Sequence, residues 1–200
     1  MAKRRARAGI SLKGGGRRAA RGWALLLIDV INELEFPGAE KLLPKALPMA
    51  RRVAALKRRA EKAGVPCVYV NDNFGQWRSD FRRLVERVLE GDARGEPVGR
   101  LLVPGDNDYF VLKPLHSGFY STALDTLLRE LGCTKLVICG MATESCVLFT
   151  ASDAYIRGFE IVVPCDGCAS ESGARHTGAL AVMKKMLKAR TPLCASVSFD

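Results

Sequence analysis

The run Leu136-Val137-Ile138-Cys139-Gly140-Met141-Ala142-Thr143-Glu144-Ser145-Cys146-Val147 holds the most reactive arrangement in the chain. A β-branched apolar strand stops at Gly140, turns, and delivers Cys146 to the first turn of a helix. Backbone N–H groups are unpaired at such a point and the macrodipole is positive, so a thiolate there is stabilised. A thiol with a lowered pKa is a nucleophile at neutral pH. Taken alone, a cysteine also reads as a small buried apolar residue. Two other chemically capable residues end apolar runs: Asp29, after Trp23-Ala24-Leu25-Leu26-Leu27-Ile28, and Lys113, after Tyr109-Phe110-Val111-Leu112. By itself Asp29 reads equally as a helix cap, and Lys113 as an exposed lysine before Pro114.

The elements that carry these residues alternate. Strands are expected at 23–29, 66–71, 109–112, 135–139, 160–164 and, weakly, 193–197. Most are near-continuous apolar runs, which marks strands covered on both faces, as in a parallel sheet. Helices are expected at 46–63, 78–89, 121–131, 144–157 and 172–189. Gly64 and Pro66 close the first, and Gly132 and Gly158 the third and fourth. The stretch 91–108, with four glycines and prolines at 97 and 104, reads as a long surface loop. The alternation predicts an α/β fold: a three-layer, doubly wound, six-stranded parallel sheet with helices on both faces. Ligands bind beyond the carboxyl ends of such strands. Asp29, Asn71-Asp72-Asn73, Lys113 and Cys146 therefore converge on one rim: a nucleophile, a cation to stabilise its thiolate, and a carboxylate to move protons.

The chain has 200 residues, 48% of them apolar, which suits one compact domain. Its net charge of +10 is concentrated at one end. Residues 1–22 hold eight Lys or Arg and no acid, leaving 23 basic against 21 acidic residues in the body. We therefore divide the chain into a basic, Gly-containing, flexible tail at 1–22 and a domain at 23–200. No aromatic residue stands among the charges of the tail to stack on a base, and no nucleic-acid partner is expected except through that tail. The apolar run at 23–28 is too short to span a membrane and lies too deep for a secretory signal. Seven cysteines without framework spacing read as reduced thiols in a cytoplasmic protein.

Four blocks give the chain a family resemblance: Leu27-Ile28-Asp29-Val30, Lys113-Pro114-Leu115-His116-Ser117-Gly118-Phe119, Gly140 to Val147, and Thr150-Ala151-Ser152-Asp153-Ala154 followed by Gly158. In that order and spacing they resemble the isochorismatase-like cysteine hydrolases, which include nicotinamidases, N-carbamoylsarcosine amidases and ureide amidohydrolases. The resemblance covers about residues 23–197 and implies a catalytic triad of Asp29, Lys113 and Cys146. It also implies a cis Met141–Ala142 peptide, with the N–H groups of Ala142 and Cys146 forming an oxyanion hole. The reaction implied is hydrolysis of a C–N bond in a small amide, imide or ureide through a thioester, by a homo-oligomer without a cofactor. Thr143 or Glu144 is expected to cap the helix, and Asp153 to make a structural polar contact.

Metal is the point of departure within the family. Nicotinamidases carry an Asp-x-His element after strand two, whereas this chain has Asn71-Asp72-Asn73-Phe74 and only His116 and His176. No metal site is expected, and nicotinamide becomes a weaker candidate substrate. Cys165-Asp166-Gly167-Cys168 has the spacing of a zinc or redox half-site but lacks a second pair. Phe36, Asn73, Phe74, Trp77, His116 and Tyr120 are candidate substrate-binding residues in loops beyond the strand ends. Phe74 and Trp77 read equally as a subunit contact. Three other functions stay open: vinyl ether hydrolysis, against which Cys146 argues; a silent scaffold with a binding tail; and thiol redox chemistry.

Overall fold

The computed structural model describes residues 22–78 and 80–200; the basic tail at 1–21 and Ser79 lie outside the described residues. In chain order the elements are β1 (Trp23–Ile28), α1 (Ala39–Lys62), β2 (Cys67–Asp72), α2 (Phe81–Glu90) and α3 (Glu96–Leu101). Then come β3 (Tyr109–Lys113), α4 (Leu124–Glu130), β4 (Lys135–Met141), a π turn (Thr143–Val147) and α5 (Leu148–Ile156). The chain continues through β5 (Glu160–Val162), β6 (Cys168–Ala169), α6 (Gly173–Met186) and a 3₁₀ turn (Cys194–Ser196).

All strand pairs are parallel, in the order β3-β2-β1-β4-β5, with β6 also pairing β4. β5 lies against Lys135–Val137 and β6 against Gly140–Met141, so the two short strands share one edge of β4 in succession. Alternate residues of β1 enter opposite cores. Trp23, Leu25 and Leu27 pack with α1, α2 and α3, while Ala24, Leu26 and Ile28 pack with α4, α5 and α6. This period-two split of an all-apolar strand is what a two-sided sheet requires.

The structure corrects the sequence reading at several points. The sixth strand is Cys168–Ala169, whereas 193–197 forms the 3₁₀ turn, held by Asp166 Oδ1 accepting from the Cys194 N–H at 2.6 Å. The expected loop 91–108 contains α3, which starts with a proline in its first turn, where a missing N–H costs nothing. The first helix begins at Ala39, ahead of the expected start at 46, and runs through Pro44 and Pro48. Neither Thr143 nor Glu144 caps the turn and helix that carry Cys146. Thr143 Oγ1 bonds Ala169 O at 3.0 Å and Glu144 accepts from Ser170 Oγ at 2.9 Å. Asp153 makes its structural contacts, to Ser117 Oγ and to Arg157. All seven cysteines are free.

Gly140 is where the sheet closes on the functional rim. It stands opposite Ile28 in the register, at φ +131°, and a Cβ there would lie 2.1 Å from Ile28 O. Any side chain would push β4 away from the strand that ends at Asp29. Gly178, in α6, has open space around it. Gly140→Ala is therefore expected to lower stability by at least about 1–3 kcal/mol, from strain alone, and Gly178→Ala to raise it by about 0.5–1 kcal/mol. Urea unfolding midpoints of the two variants check both signs.

Candidate active site

Three strand ends and one turn meet at the carboxyl rim. Asp29 follows β1 in the left-handed region at φ 52°, a conformation Asp tolerates better than most residues, and its N–H donates to Val70 O at 3.0 Å. Asp72 ends β2 and is the register partner of Lys113, which ends β3. The Met141–Ala142 peptide is cis, and the chain then enters the π turn that carries Cys146. Such wide turns are frequent at functional sites. Beyond β3, Ser117 and Gly118 tie the loop to α5, the latter through its N–H to Thr150 Oγ1 at 3.0 Å.

Lys113 is fully buried. Its Nζ lies 2.9 Å from Asp29 Oδ2, 3.2 Å from Asp72 Oδ2 and 3.5 Å from Cys146 Sγ. Its long stem reaches from β3 past β2 to the end of β1. Asp29 is equally enclosed, its other oxygen accepting the Asp72 N–H at 2.6 Å. Burial raises the Asp29 carboxyl above its ordinary value, against the pull of Lys113. Burial pulls the Lys113 ammonium down, but Asp29, Cys146 and Asp72 outweigh it and the group is raised.

Cys146 departs from the sequence reading. Burial, then the facing Asp29 carboxylate, push its thiol up to about 12, and Lys113 only partly offsets them. Burial and the Asp29 carboxylate thus favour the thiol over the thiolate expected from a helix terminus.

Asp72 was named in the sequence only as one of three polar residues at the end of strand two, and the structure pairs it with Lys113. Its carboxylate is committed to Lys113 and to the Phe74 N–H at 2.7 Å, and Asn73 Oδ1 accepts from the Gly75 N–H at 2.9 Å. These commitments do not fit a metal ligand set, and no group of three or more metal-binding side chains occurs among the described residues.

Of the candidate binding residues, His116 reaches the centre, with Nδ1 3.9 Å from Cys146 Sγ. Asn73 and Phe74 line a cleft of about 10 Å³ beside Asp72, too small for a substrate. Phe36 packs against the α1-side core. Phe74, Trp77 and Tyr120 are exposed, Trp77 at 77%. Ala142 is half-buried between β4 and the π turn.

With this geometry in place, an isochorismatase domain matches residues 23–193, and the chain belongs to the isochorismatase family. An uncharacterized isochorismatase family protein of Bacillus subtilis is 39% identical, over 82% of this chain and 90% of that protein. A probable inactive nicotinamidase of Arabidopsis thaliana is 30% identical, over 83% of this chain and 90% of that one. Among solved structures, N-carbamoylsarcosine amidase from Thermoplasma acidophilum is similar with a TM-score of 0.69 and 26% identity, covering 88% of this chain and 98% of that one. No helix among the described residues is long and apolar enough to cross a membrane.

Removing the cation would leave the buried Asp29 carboxylate unpaired beside the half-buried Asp72 carboxylate. Lys113→Met is expected to cost about 3–5 kcal/mol, the range for breaking a buried ion pair from one side. Asp72→Asn is expected to cost less, because Asp29 still neutralises the ammonium. Chemical denaturation of both variants checks the order.

Proposed function

We propose that this protein is a cysteine-dependent hydrolase that cleaves the C–N bond of a small amide, imide or ureide through a thioester. The observation that carries this reading is the single buried ammonium holding Asp29 and Cys146 together. Asp29 accepts the thiol proton as Sγ attacks the carbonyl carbon. Lys113 stays cationic through the step and keeps the carboxyl and the sulfur in place. The tetrahedral oxyanion is received by the backbone N–H groups of Ala142 and Cys146. In support, the flanking Ser145 and Val147 N–H groups are committed to Ala142 O at 3.1 and 3.2 Å, with Cys146 between them. An oxyanion donor contributes about 3–4 kcal/mol to lowering such a barrier. Water then hydrolyses the thioester.

The name of the Arabidopsis relative makes a catalytically silent domain the second reading. Against it stands the complete Asp29, Lys113 and Cys146 set in contact geometry.

The test is a panel: ammonia release from primary amides and ureides, and ring opening of cyclic imides followed by mass spectrometry of the half-amide, with the full chain. Activity is expected to fall by about 10²–10⁴-fold in Asp29→Asn, the usual contribution of a general base, and to vanish in Cys146→Ala. Activity that survives Cys146→Ala would overturn the thioester route, and an inert wild type across the panel would favour the silent domain. The pH profile follows from burial. Asp29 works only when unprotonated, and its pKa is raised, so activity is lost as pH falls through a value above the ~3.9 of a free aspartate.

A further inference from the structure

Cys146 stands between two groups that can carry protons, and the mechanism above uses one of them. Asp29 lies on the buried side, its oxygens held by the Asp72 N–H and Lys113. His116 lies on the solvent side, exposed, with Nδ1 3.9 Å from Cys146 Sγ and 3.5 Å from Ser145 Oγ. Its ring rests on Phe149 of α5 at 5.4 Å between centroids, which holds Nδ1 toward the sulfur. Cys146 and Ser145 from the π turn and Phe149 from α5 face the ring; the charges beyond Cys146 are Lys113, Asp29 and Asp72.

Resting on the cysteine hydrolase reading, we propose that His116 is a second catalytic residue, the acid that protonates the leaving nitrogen and the base that activates the hydrolytic water. In the tetrahedral adduct the nitrogen is one bond from the carbon attached to Sγ, within hydrogen-bond reach of a group this close to the sulfur. Asp29 takes the thiol proton and is shut in by its own partners, whereas the departing amine leaves toward solvent, where His116 stands. Imidazole is the side chain suited to giving and taking a proton near neutral pH.

The protons balance over the cycle. In acylation the S–C bond forms, Asp29 gains the thiol proton, the C–N bond breaks, and imidazolium His116 gives its Nδ1 proton to the amine. In deacylation neutral His116 takes one proton from water as the hydroxyl adds to the thioester carbon. The C–S bond breaks and Asp29 returns its proton to the thiolate, restoring carboxylate, thiol and imidazolium.

The test needs no natural substrate. Intact-protein mass spectrometry follows acetylation of Cys146 by 4-nitrophenyl, phenyl and trifluoroethyl acetate, whose leaving groups need progressively more protonation. His116 is exposed, so His116→Gln is expected to fold normally. It should match wild type within about threefold on 4-nitrophenyl acetate and fall behind by about 30-fold or more on trifluoroethyl acetate, the scale of lost general acid catalysis. Acetyl-Cys146 should also accumulate in the variant, because deacylation has lost its base. A variant that tracks wild type over the series without accumulating acetyl-enzyme would overturn the role of His116. A wild type that takes no acetyl group on Cys146 from any ester would instead overturn the cysteine hydrolase reading itself.

Discussion

An ammonium group sealed from water must be neutralised by groups brought to it, and much of this molecule serves that requirement for Lys113. Its partners come from separate stretches of the chain: Asp29 after β1, Asp72 at the end of β2, and Cys146 in the turn after β4. Only a sheet whose strands all run in one direction puts those ends on a single rim. The close approach of Gly140 to Ile28 brings β4 near enough to β1 for the cysteine turn to join the cluster. Helices on both faces keep the rim dry from below, so the charges act on one another at low dielectric.

Dryness has a second consequence. The same burial that strengthens the ion pair raises both Asp29 and Cys146, so the pair holds its proton at rest. In the reaction we propose, the sulfur stays a thiol until a carbonyl arrives and then passes its proton to Asp29. A permanent thiolate at the same place would be exposed to oxidation and indiscriminate alkylation. Burial therefore opposes the thiolate stabilisation that a helix terminus would give at Cys146.

The fold class and the meeting of Asp29, Lys113 and Cys146 on one rim were legible because both are written in short local patterns. Apolar runs ended by Asp29, Lys113 and the Gly140 turn mark a parallel sheet and its rim together. Sequence periodicity did not show how partners cross between strands. Asp72 was legible only as one polar residue at a strand end, because its pairing depends on register with Lys113, which no local pattern encodes. The β6 strand at Cys168–Ala169 is too short for any period to register, and the expected first helix at 46–63 left out the residues of α1 from Ala39 on. The error about the Cys146 thiol has the same origin. Position on a helix can be read from a sequence, but burial and the proximity of Asp29 cannot.

The central claim is that burial and Asp29 hold the Cys146 proton, and alkylation by iodoacetamide tests it most directly. Peptide-mapped rates at Cys146 would be followed from about pH 5 to about pH 10, across the ~8.5 of a free thiol, in wild type and Asp29→Asn. The account predicts that wild-type Cys146 stays slow until well above that value, and that removing the carboxylate moves the rise to lower pH. A wild-type cysteine already fast near pH 6, or a profile that Asp29→Asn leaves in place, would contradict it.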